Sequence, residues 1–412
     1  MEYGLIGERL IHSYSCEIHK TIADYKYELC EIKKENLAEF LEKRDFKAIN
    51  VTIPYKESVI PFLDSISQTA EDIGAVNTIV NREGKLCGYN TDFLGMRAGL
   101  ERFGIDISGK KVLILGTGGT SKTANAVAKS LNASEIIFVS RSEREDAVSY
   151  LQLYEKHRDA QIIINTTPVG MYPNENSVPV DISAFNCLEG VFDVIYNPLR
   201  TRLVMDACRR GIKCAGGLYM LSAQAVYASA LFLGNEPDAS LIDIAYNKVK
   251  SEKQNIVLIG MPTSGKSSVG KKLAETTGKV FFDTDEEIVS KTGESIPDIF
   301  ANQGEKAFRK KESEVISELS AKSGCVIATG GGAVLDRKNV NMLKRNSVIV
   351  FLDRPLELLI STEDRPLSSN RNALEVLYKE RYGIYKSSAD IIIDAGGTTD
   401  EVAQKIFRET IK

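Results

Sequence analysis

The segment that most limits the fold of this chain is the apolar run Ile256–Ile259, followed at once by Gly260-Met-Pro-Thr-Ser-Gly265-Lys266-Ser267. The spacing matches GxxxxGK[ST]. Such a loop needs a strand before it and a helix after it, so that backbone N–H groups and the helix dipole face an anion. A buried strand feeding a helix implies α/β architecture with a parallel sheet. The ligand implied is a nucleoside triphosphate. Thr263, Ser264, Gly265 and Ser268 would cradle its phosphates, Lys266 would reach the β- and γ-phosphates, and Ser267 would hold Mg²⁺.

A second glycine loop follows a different grammar. Gly116-Thr117-Gly118-Gly119-Thr120-Ser121 comes after the apolar run Val112–Leu115. It is part of a GxGxxG fingerprint, with Ser121 at the third glycine position, and suits a dinucleotide. Taken alone, such a loop is as readily an ordinary helix start. The end of the next strand sharpens it. An acidic residue there would bind the ribose 2′-hydroxyl of NAD, whereas this chain has Ser140-Arg141-Ser142-Glu-Arg144. Arginine in that place suits the 2′-phosphate of NADP.

The 412 residues leave room for two or three domains. Apolar runs alternate with helical patterns throughout. Expected strands are Tyr3–Ile6, Tyr27–Cys30, Ala48–Val51 and Val76–Val80 in a first block, residues 1–105. Lys111–Leu115, Glu135–Ser140, Ile162–Asn165 and Val191–Val194 belong to a second, residues 106–218. Apolar helices over Leu221–Phe232 and Leu241–Lys250 return to the first block, a polar stretch at 249–255 reads as a linker, and a third block covers 256–412. Net charge is −4, without the basic excess of a nucleic-acid binder. Seven scattered cysteines with no CxxC, and only three histidines, argue for reduced thiols and against a zinc site. No apolar run reaches membrane-spanning length and the start is no signal peptide, so a cytoplasmic protein is expected.

The residues after the triphosphate loop narrow its class. Phe282-Asp283-Thr-Asp285 ends an expected strand, which would point both carboxylates the same way. One could hold Mg²⁺ through water while the other takes a proton from an attacking hydroxyl. Arg309 lies on a helix with Glu312 behind it to orient it. Thr329-Gly330-Gly331-Gly332 follows Val326–Ala328, Arg365-Pro-Leu lies in a polar loop, and Arg381 lies on a later helix. Each alone is weak, and an exposed arginine is ordinarily a solvated one. In this order they resemble the shikimate kinase family, over about residues 255–412. The resemblance implies that Asp285, Arg309, Gly331 and Arg381 bind shikimate, that Asp285 accepts the 3-hydroxyl proton, that Asp283 helps hold the metal, and that Arg365 faces the transferred phosphate from a lid. The lid between Asp353 and Asn372 departs from the family in being short and acidic.

The first block supplies reactive groups for the other loop. Asn50-Val-Thr52-Ile-Pro54-Tyr-Lys56 runs from strand to helix, and Asn90-Thr-Asp92 precedes a helix over Phe93–Phe103. A lone Asp there is most often an N-cap, and a lone Lys after Pro is most often solvated. His12-Ser13-Tyr-Ser15 places two hydroxyls near a helix start. Gly74-Ala-Val-Asn77 and Gly217-Leu-Tyr-Met-Leu-Ser-Ala-Gln224 add two amides. The ordered set resembles the shikimate dehydrogenase family over about residues 1–245. It implies that Ser13 and Ser15 bind the substrate carboxylate, that Thr52, Asn77, Asp92, Tyr196 and Gln224 contact the ring and its hydroxyls, and that Lys56 and Asp92 are the catalytic pair. Gly116, Thr117, Gly118, Gly119, Thr120, Ser140, Arg141, Arg144, Val194 and Gly217 match cofactor positions. Cys16 stands where the family usually has proline, a packing change rather than a reactive thiol, and Ser140 stands where asparagine is common.

The expectation is a fusion of both families, using NADP(H), ATP and Mg²⁺ on 3-dehydroshikimate and shikimate, with no nucleic-acid or membrane partner and with a homo-oligomer left open. An α/β substrate domain, a Rossmann-type NADP domain and a P-loop three-layer α/β domain with a parallel sheet should follow one another. Two other readings exist. A quinate/shikimate dehydrogenase using NAD is opposed by Arg141. A metabolite-sensing regulator without turnover predicts loss of Lys56, Asp92, Lys266 or Asp285, all of which are present.

Overall fold

Among the described residues, runs of β-branched and aliphatic residues set three sheets. The first holds β1 (Tyr3–Gly7), β2 (Tyr27–Glu31), β3 (Ala48–Val51), β4 (Ser65–Ile66), β5 (Thr78–Arg82) and β6 (Lys85–Tyr89), in the order β2-β1-β3-β5-β6-β4. The second holds β7 (Lys111–Leu115), β8 (Glu135–Ser140), β9 (Val148–Ser149), β10 (Ile162–Asn165), β11 (Gly190–Asp193) and β12 (Lys213–Ala215), in the order β12-β11-β10-β7-β8-β9. The third holds β13 (Asn255–Ile259), β14 (Val280–Asp283), β15 (Cys325–Ala328), β16 (Ser347–Asp353) and β17 (Ile391–Asp394), in the order β14-β15-β13-β16-β17. This computed structural model describes residues 1–10, 13–360 and 370–410, and forms two units, Met1–Lys250 and Ser251–Lys412.

The second and third sheets are parallel throughout. Their inner strands are apolar at successive positions because helices cover both faces. Val112, Ile114, Ile162 and Ile164 pack with Ala124, Val127 and Met220 on one face, while Leu113, Leu115 and Ile163 pack with Leu153, Leu203 and Phe185 on the other. The third sheet divides in the same way. Val257, Ile259, Ile327 and Phe351 face one core, and Ile256, Leu258, Val326 and Leu352 face the other.

The first sheet is mixed, with β5 antiparallel to both β3 and β6. The cause is local. Glu83 and Gly84 take positive φ of 52° and 86°, and Arg82 pairs with Lys85, a two-residue hairpin that leaves no crossover helix. The expected strand Val76–Val80 therefore shifts to Thr78–Arg82. The polar stretch at 249–255 holds the end of the helix Ser240–Lys253 and the first residue of β13 rather than an irregular linker.

The helix Leu218–Leu233 is apolar on nearly every side because it is covered all round. It packs on the helix Thr91–Arg102 through glycines. A Cβ at Gly95 would come within 2.7 Å of the Met220 carbonyl oxygen and 3.0 Å of Gln224 Cβ, and one at Gly99 within 2.9 Å of Phe192. Only glycine permits this approach, and it brings Gln224 beside the start of the other helix.

The expectation of reduced thiols is corrected at one pair. Cys208, at the end of the helix Arg202–Arg209, and Cys214, in β12, are disulfide-bonded with Cα atoms 6.3 Å apart, because the chain turns back at Gly211 between them. Cys16, Cys30, Cys87, Cys187 and Cys325 are free. Among the described residues, no helix is long and apolar enough to cross a membrane.

Candidate active sites

In the first unit Lys56 lies in the turn after β3, and Asp92 lies in the first turn of the helix Thr91–Arg102. Lys56 Nζ donates to Asp92 Oδ2 at 2.6 Å, and the two side chains are only 13% and 10% exposed. The N-cap of that helix is Asn90, whose Oδ1 accepts from Phe93 N at 3.1 Å. Asp92 is therefore not the cap its position suggested. Its carboxylate is left for the lysine, and partial exclusion of water strengthens the pair.

The dinucleotide loop lies against this pair. Lys56 Nζ reaches Thr120 Oγ1 at 3.5 Å, and a Cβ at Gly119 would stand 3.6 Å from Lys56 Cβ. Gly116 has φ of 107° beside Thr166, while Gly118 opens on free space at the start of the helix Gly119–Ser130. Thr117 follows in the same turn. At the end of β8, Ser140 Oγ accepts from Ser142 N at 3.2 Å; beyond it Arg141 is exposed, and Arg144 is held bidentately by Asp146 at 2.7 and 3.0 Å. A Cβ at Gly217 would overlap the Val194 carbonyl, so these two cofactor positions touch. An open glycine turn at a helix N-terminus with arginine beyond the next strand fits a dinucleotide bearing a 2′-phosphate.

On the other side of Asp92 a buried amide network takes shape. Asn77 Oδ1 accepts from Thr91 N at 2.7 Å and from Thr78 Oγ1 at 3.1 Å, and Asn77 Nδ2 donates to Thr91 Oγ1 at 3.1 Å. Thr91 Oγ1 also donates to Gln224 Oε1 at 3.4 Å. Behind them Asn50 donates to Thr78 Oγ1 at 3.1 Å and accepts from the Tyr27 hydroxyl at 2.7 Å. Asn50, Thr78 and Thr91 were missed as site residues. Their available signals were the runs at 50–52, 77–78 and 90–92, in which each adjoins a quoted residue, whereas the bonds themselves join distant strands. Ser13 and Ser15 share a hydrogen bond of 3.0 Å at the start of the helix Ser15–Ile22. His12 lies outside the described residues. Thr52 follows β3, with its methyl against Gly7. Tyr196 packs on Tyr14 at 5.2 Å, and burial pushes its phenol up to about 12, which keeps it a donor.

In the second unit the triphosphate loop holds φ of 150° at Gly260, 62° at Thr263 and 92° at Gly265. Lys266 Nζ folds back to donate to the carbonyls of Gly260 at 3.0 Å and Met261 at 2.8 Å. Ser264 Oγ is buried without a hydrogen-bond partner inside the loop, and Ser268 is exposed one turn on. Ser267 Oγ donates to Asp283 Oδ2 at 2.5 Å, and Asp283 Oδ1 caps the helix Thr284–Thr292 by accepting from Asp285 N at 2.9 Å. The hydroxyl–carboxylate pair fits Mg²⁺, and the unpartnered Ser264 hydroxyl fits a phosphate oxygen.

Asp285 does not share an extended segment with Asp283, as the spacing suggested. β14 ends at Asp283, and Asp285 belongs to the helix that follows. It reaches the site for a different reason. A Cβ at Gly330 would meet Asp285 Oδ1 at 2.8 Å and Glu312 Oε1 at 2.6 Å, so only glycine fits between the carboxylates. Arg309 Nη1 donates to Glu312 Oε2 at 3.0 Å, and its guanidinium lies against Gly332 with no room for a side chain. Arg381 is buried on the helix Arg371–Ser388. Burial pushes the Glu312 carboxyl up, Arg309 pulls it back, and Asp285 and Arg381 act on it in opposite directions. A Cβ at Gly331 would stand 3.2 Å from Pro262 Cδ, in the triphosphate loop. Arg365 lies outside the described residues.

Comparison with known proteins matches both halves. Residues 5–79 match the family model "Shikimate dehydrogenase substrate binding domain", and residues 262–411 match "Shikimate kinase". The shikimate dehydrogenase (NADP(+)) of Clostridium perfringens strain SM101 is 39% identical over 266 residues, covering 60% of this chain and 98% of that protein. A crystal structure of a chorismate mutase/shikimate 5-dehydrogenase fusion protein from Clostridium acetobutylicum superposes with a TM-score of 0.57 at 35% identity, covering 60% of this chain and 96% of that one. Shikimate 5-dehydrogenase from Thermus thermophilus, solved in complex with NADP(H) and shikimate, gives 0.55 at 29% identity, covering 60% and 99%. The chain thus belongs to the shikimate dehydrogenase (NADP(+)) family through its first unit and carries a shikimate kinase domain fused behind it.

Proposed function

We infer that this chain performs two successive steps of the shikimate pathway: NADPH-dependent reduction of 3-dehydroshikimate to shikimate, then Mg·ATP-dependent phosphorylation of the 3-hydroxyl. The observation that carries the reading is common to both units. Each nucleotide loop is tied directly to the groups able to move a proton, Thr120 to Lys56 and Ser267 through Asp283 to Asp285. Residues 1–105 with helices from 219–250 form the substrate side, 106–218 the NADP side, and 256–412 the kinase.

When bound, NADPH supplies the hydride and Mg·ATP the phosphoryl group. Lys56 holds a proton at Nζ for the C3 oxygen of the ketone, and Asp92 holds that ammonium in place. Asn77 and Gln224, with orientations set by Thr91, bind the ring hydroxyls alongside Thr52 and Tyr196, and Ser13 with Ser15 takes the carboxylate. Arg141 and Arg144 take the 2′-phosphate, with Ser140, Val194 and Gly217 lining the rest of the cofactor site. In the kinase, Asp285 receives the proton of the 3-hydroxyl. Arg309 and Arg381 hold the carboxylate, because a guanidinium fork matches it bidentately, and Gly331 lines the same pocket. Ser267 and Asp283 would hold Mg²⁺, and Lys266 and Arg365 would face the phosphates.

The test uses shikimate with the full chain. NADP⁺ should be reduced in the absence of ATP, and ATP should be consumed in the absence of NADP⁺. Activity with one nucleotide only would reduce the reading to one enzyme with an inert companion.

A further inference from the structure

The Gly330–Gly332 loop is pinned from two sides. On one side, Gly330 N–H donates to Thr284 Oγ1 at 2.8 Å, and Thr284 stands between Asp283 and Asp285. On the other, the Tyr385 hydroxyl donates to the Gly331 carbonyl at 2.5 Å. Tyr385 is fully buried, and its ring stacks on Phe351 at 5.4 Å. It lies one helical turn after Arg381 and interacts with that guanidinium. Burial pushes its phenol up to about 12, so the oxygen keeps its proton at every working pH.

Across a trans peptide the N–H points opposite to the C=O. Holding the Gly331 carbonyl therefore sets the direction of the Gly332 N–H, and it keeps Gly332 against Arg309. One hydroxyl thus ties together the glycine loop, Arg309 and the helix bearing Arg381. We propose that Tyr385 is a positioning residue of the hydroxy-acid site of the kinase, one that sets affinity for shikimate and not the handling of ATP. The proposal rests on the kinase reading given above.

The experiment compares Tyr385→Phe with the unaltered full chain, varying shikimate at saturating Mg·ATP and then the reverse. KM for shikimate should rise about tenfold, the size of one lost buried hydrogen bond. KM for ATP should stay unchanged and kcat should fall by no more than about threefold. The shift in melting temperature produced by shikimate should shrink in parallel. Phe351→Leu serves as the packing control. It leaves the hydroxyl bond in place, so it should lower the melting temperature without changing KM for shikimate. A shikimate KM within twofold in Tyr385→Phe, equal rises for both substrates, or the same rise in Phe351→Leu would overturn the proposal. Residual phosphorylation with an unchanged KM for ATP reports that the kinase unit of each variant chain is folded. An unaltered protein that fails to phosphorylate shikimate would overturn the kinase reading and this proposal with it.

Discussion

At the scale of single residues, the chemistry depends on which partner each charged group has found. Arg144 illustrates this. Its guanidinium is already held by Asp146, and the two exposed groups stabilise each other's charged forms. On the proposed role of Arg144, a 2′-phosphate competes with that carboxylate. Asp146→Asn should therefore tighten binding of adenosine 2′,5′-bisphosphate by about two- to fivefold, the scale of an exposed ion pair, and leave AMP binding unchanged. Calorimetric titration checks this, and equal affinity changes for both ligands would contradict it.

Asp193 is the opposite case, a fully buried carboxyl accepting from Thr201 Oγ1 at 2.6 Å, Asn165 Nδ2 at 3.0 Å and Ile195 N at 3.1 Å. Burial outweighs these donors and raises it from 3.8 to about 7. The folded state then holds a proton that the unfolded chain releases. The stabilisation from that proton is complete below about pH 4, falls as pH rises toward 7, and is gone above it. Relative to Asp193→Asn, the natural chain should lose on the order of 2–4 kcal/mol across that window. Urea midpoints of both proteins at pH 5 and pH 8 measure it, and parallel pH profiles would rule it out. Such residues show how far the sequence could be read. Lys56 stands out through its motif. Asp92 is readable as a site residue, yet its role as ion-pair partner rather than cap depends on Asn90 taking the cap. Asp193 carries no signal, because its environment is made by three separate segments.

At the scale of elements, glycines decide where helices can approach. Gly95 lets the helix Thr91–Arg102 touch the Met220 carbonyl on the helix Leu218–Leu233. Gly95→Ala should cost about 1–3 kcal/mol from overpacking and raise KM for 3-dehydroshikimate, since Gln224 is pushed from Thr91. A KM unchanged in a destabilised protein would separate Gln224 from substrate binding. Strands were legible where both faces are covered, as in β7, β10 and β13, because continuous apolar runs record burial directly. They were misplaced at β5, where a hairpin turn interrupts the α/β alternation. Asp285 faces Gly330 from a helix and not from the extended segment expected, since the turn from β14 into that helix follows from the Asp283 cap.

At the scale of the whole molecule, each of the two units brings a glycine loop together with carboxylate side chains. The break between them came from a polar composition shift, whereas the helix running to Lys253 was hidden because a polar stretch serves an exposed helix end as well as a loop. The Cys208–Cys214 bond was equally hidden, as its spacing matches no motif. The central claim is that one chain carries out consecutive steps at independent sites. The most direct measurement supplies 3-dehydroshikimate, NADPH and Mg·ATP to the natural chain, Lys56→Ala and Lys266→Ala, and follows each product. The natural chain should form shikimate 3-phosphate. Lys56→Ala should lose NADPH oxidation by about 10²–10⁴-fold yet phosphorylate added shikimate normally, and Lys266→Ala should stop at shikimate. Loss of both activities from either single change, in folded protein, would contradict the account.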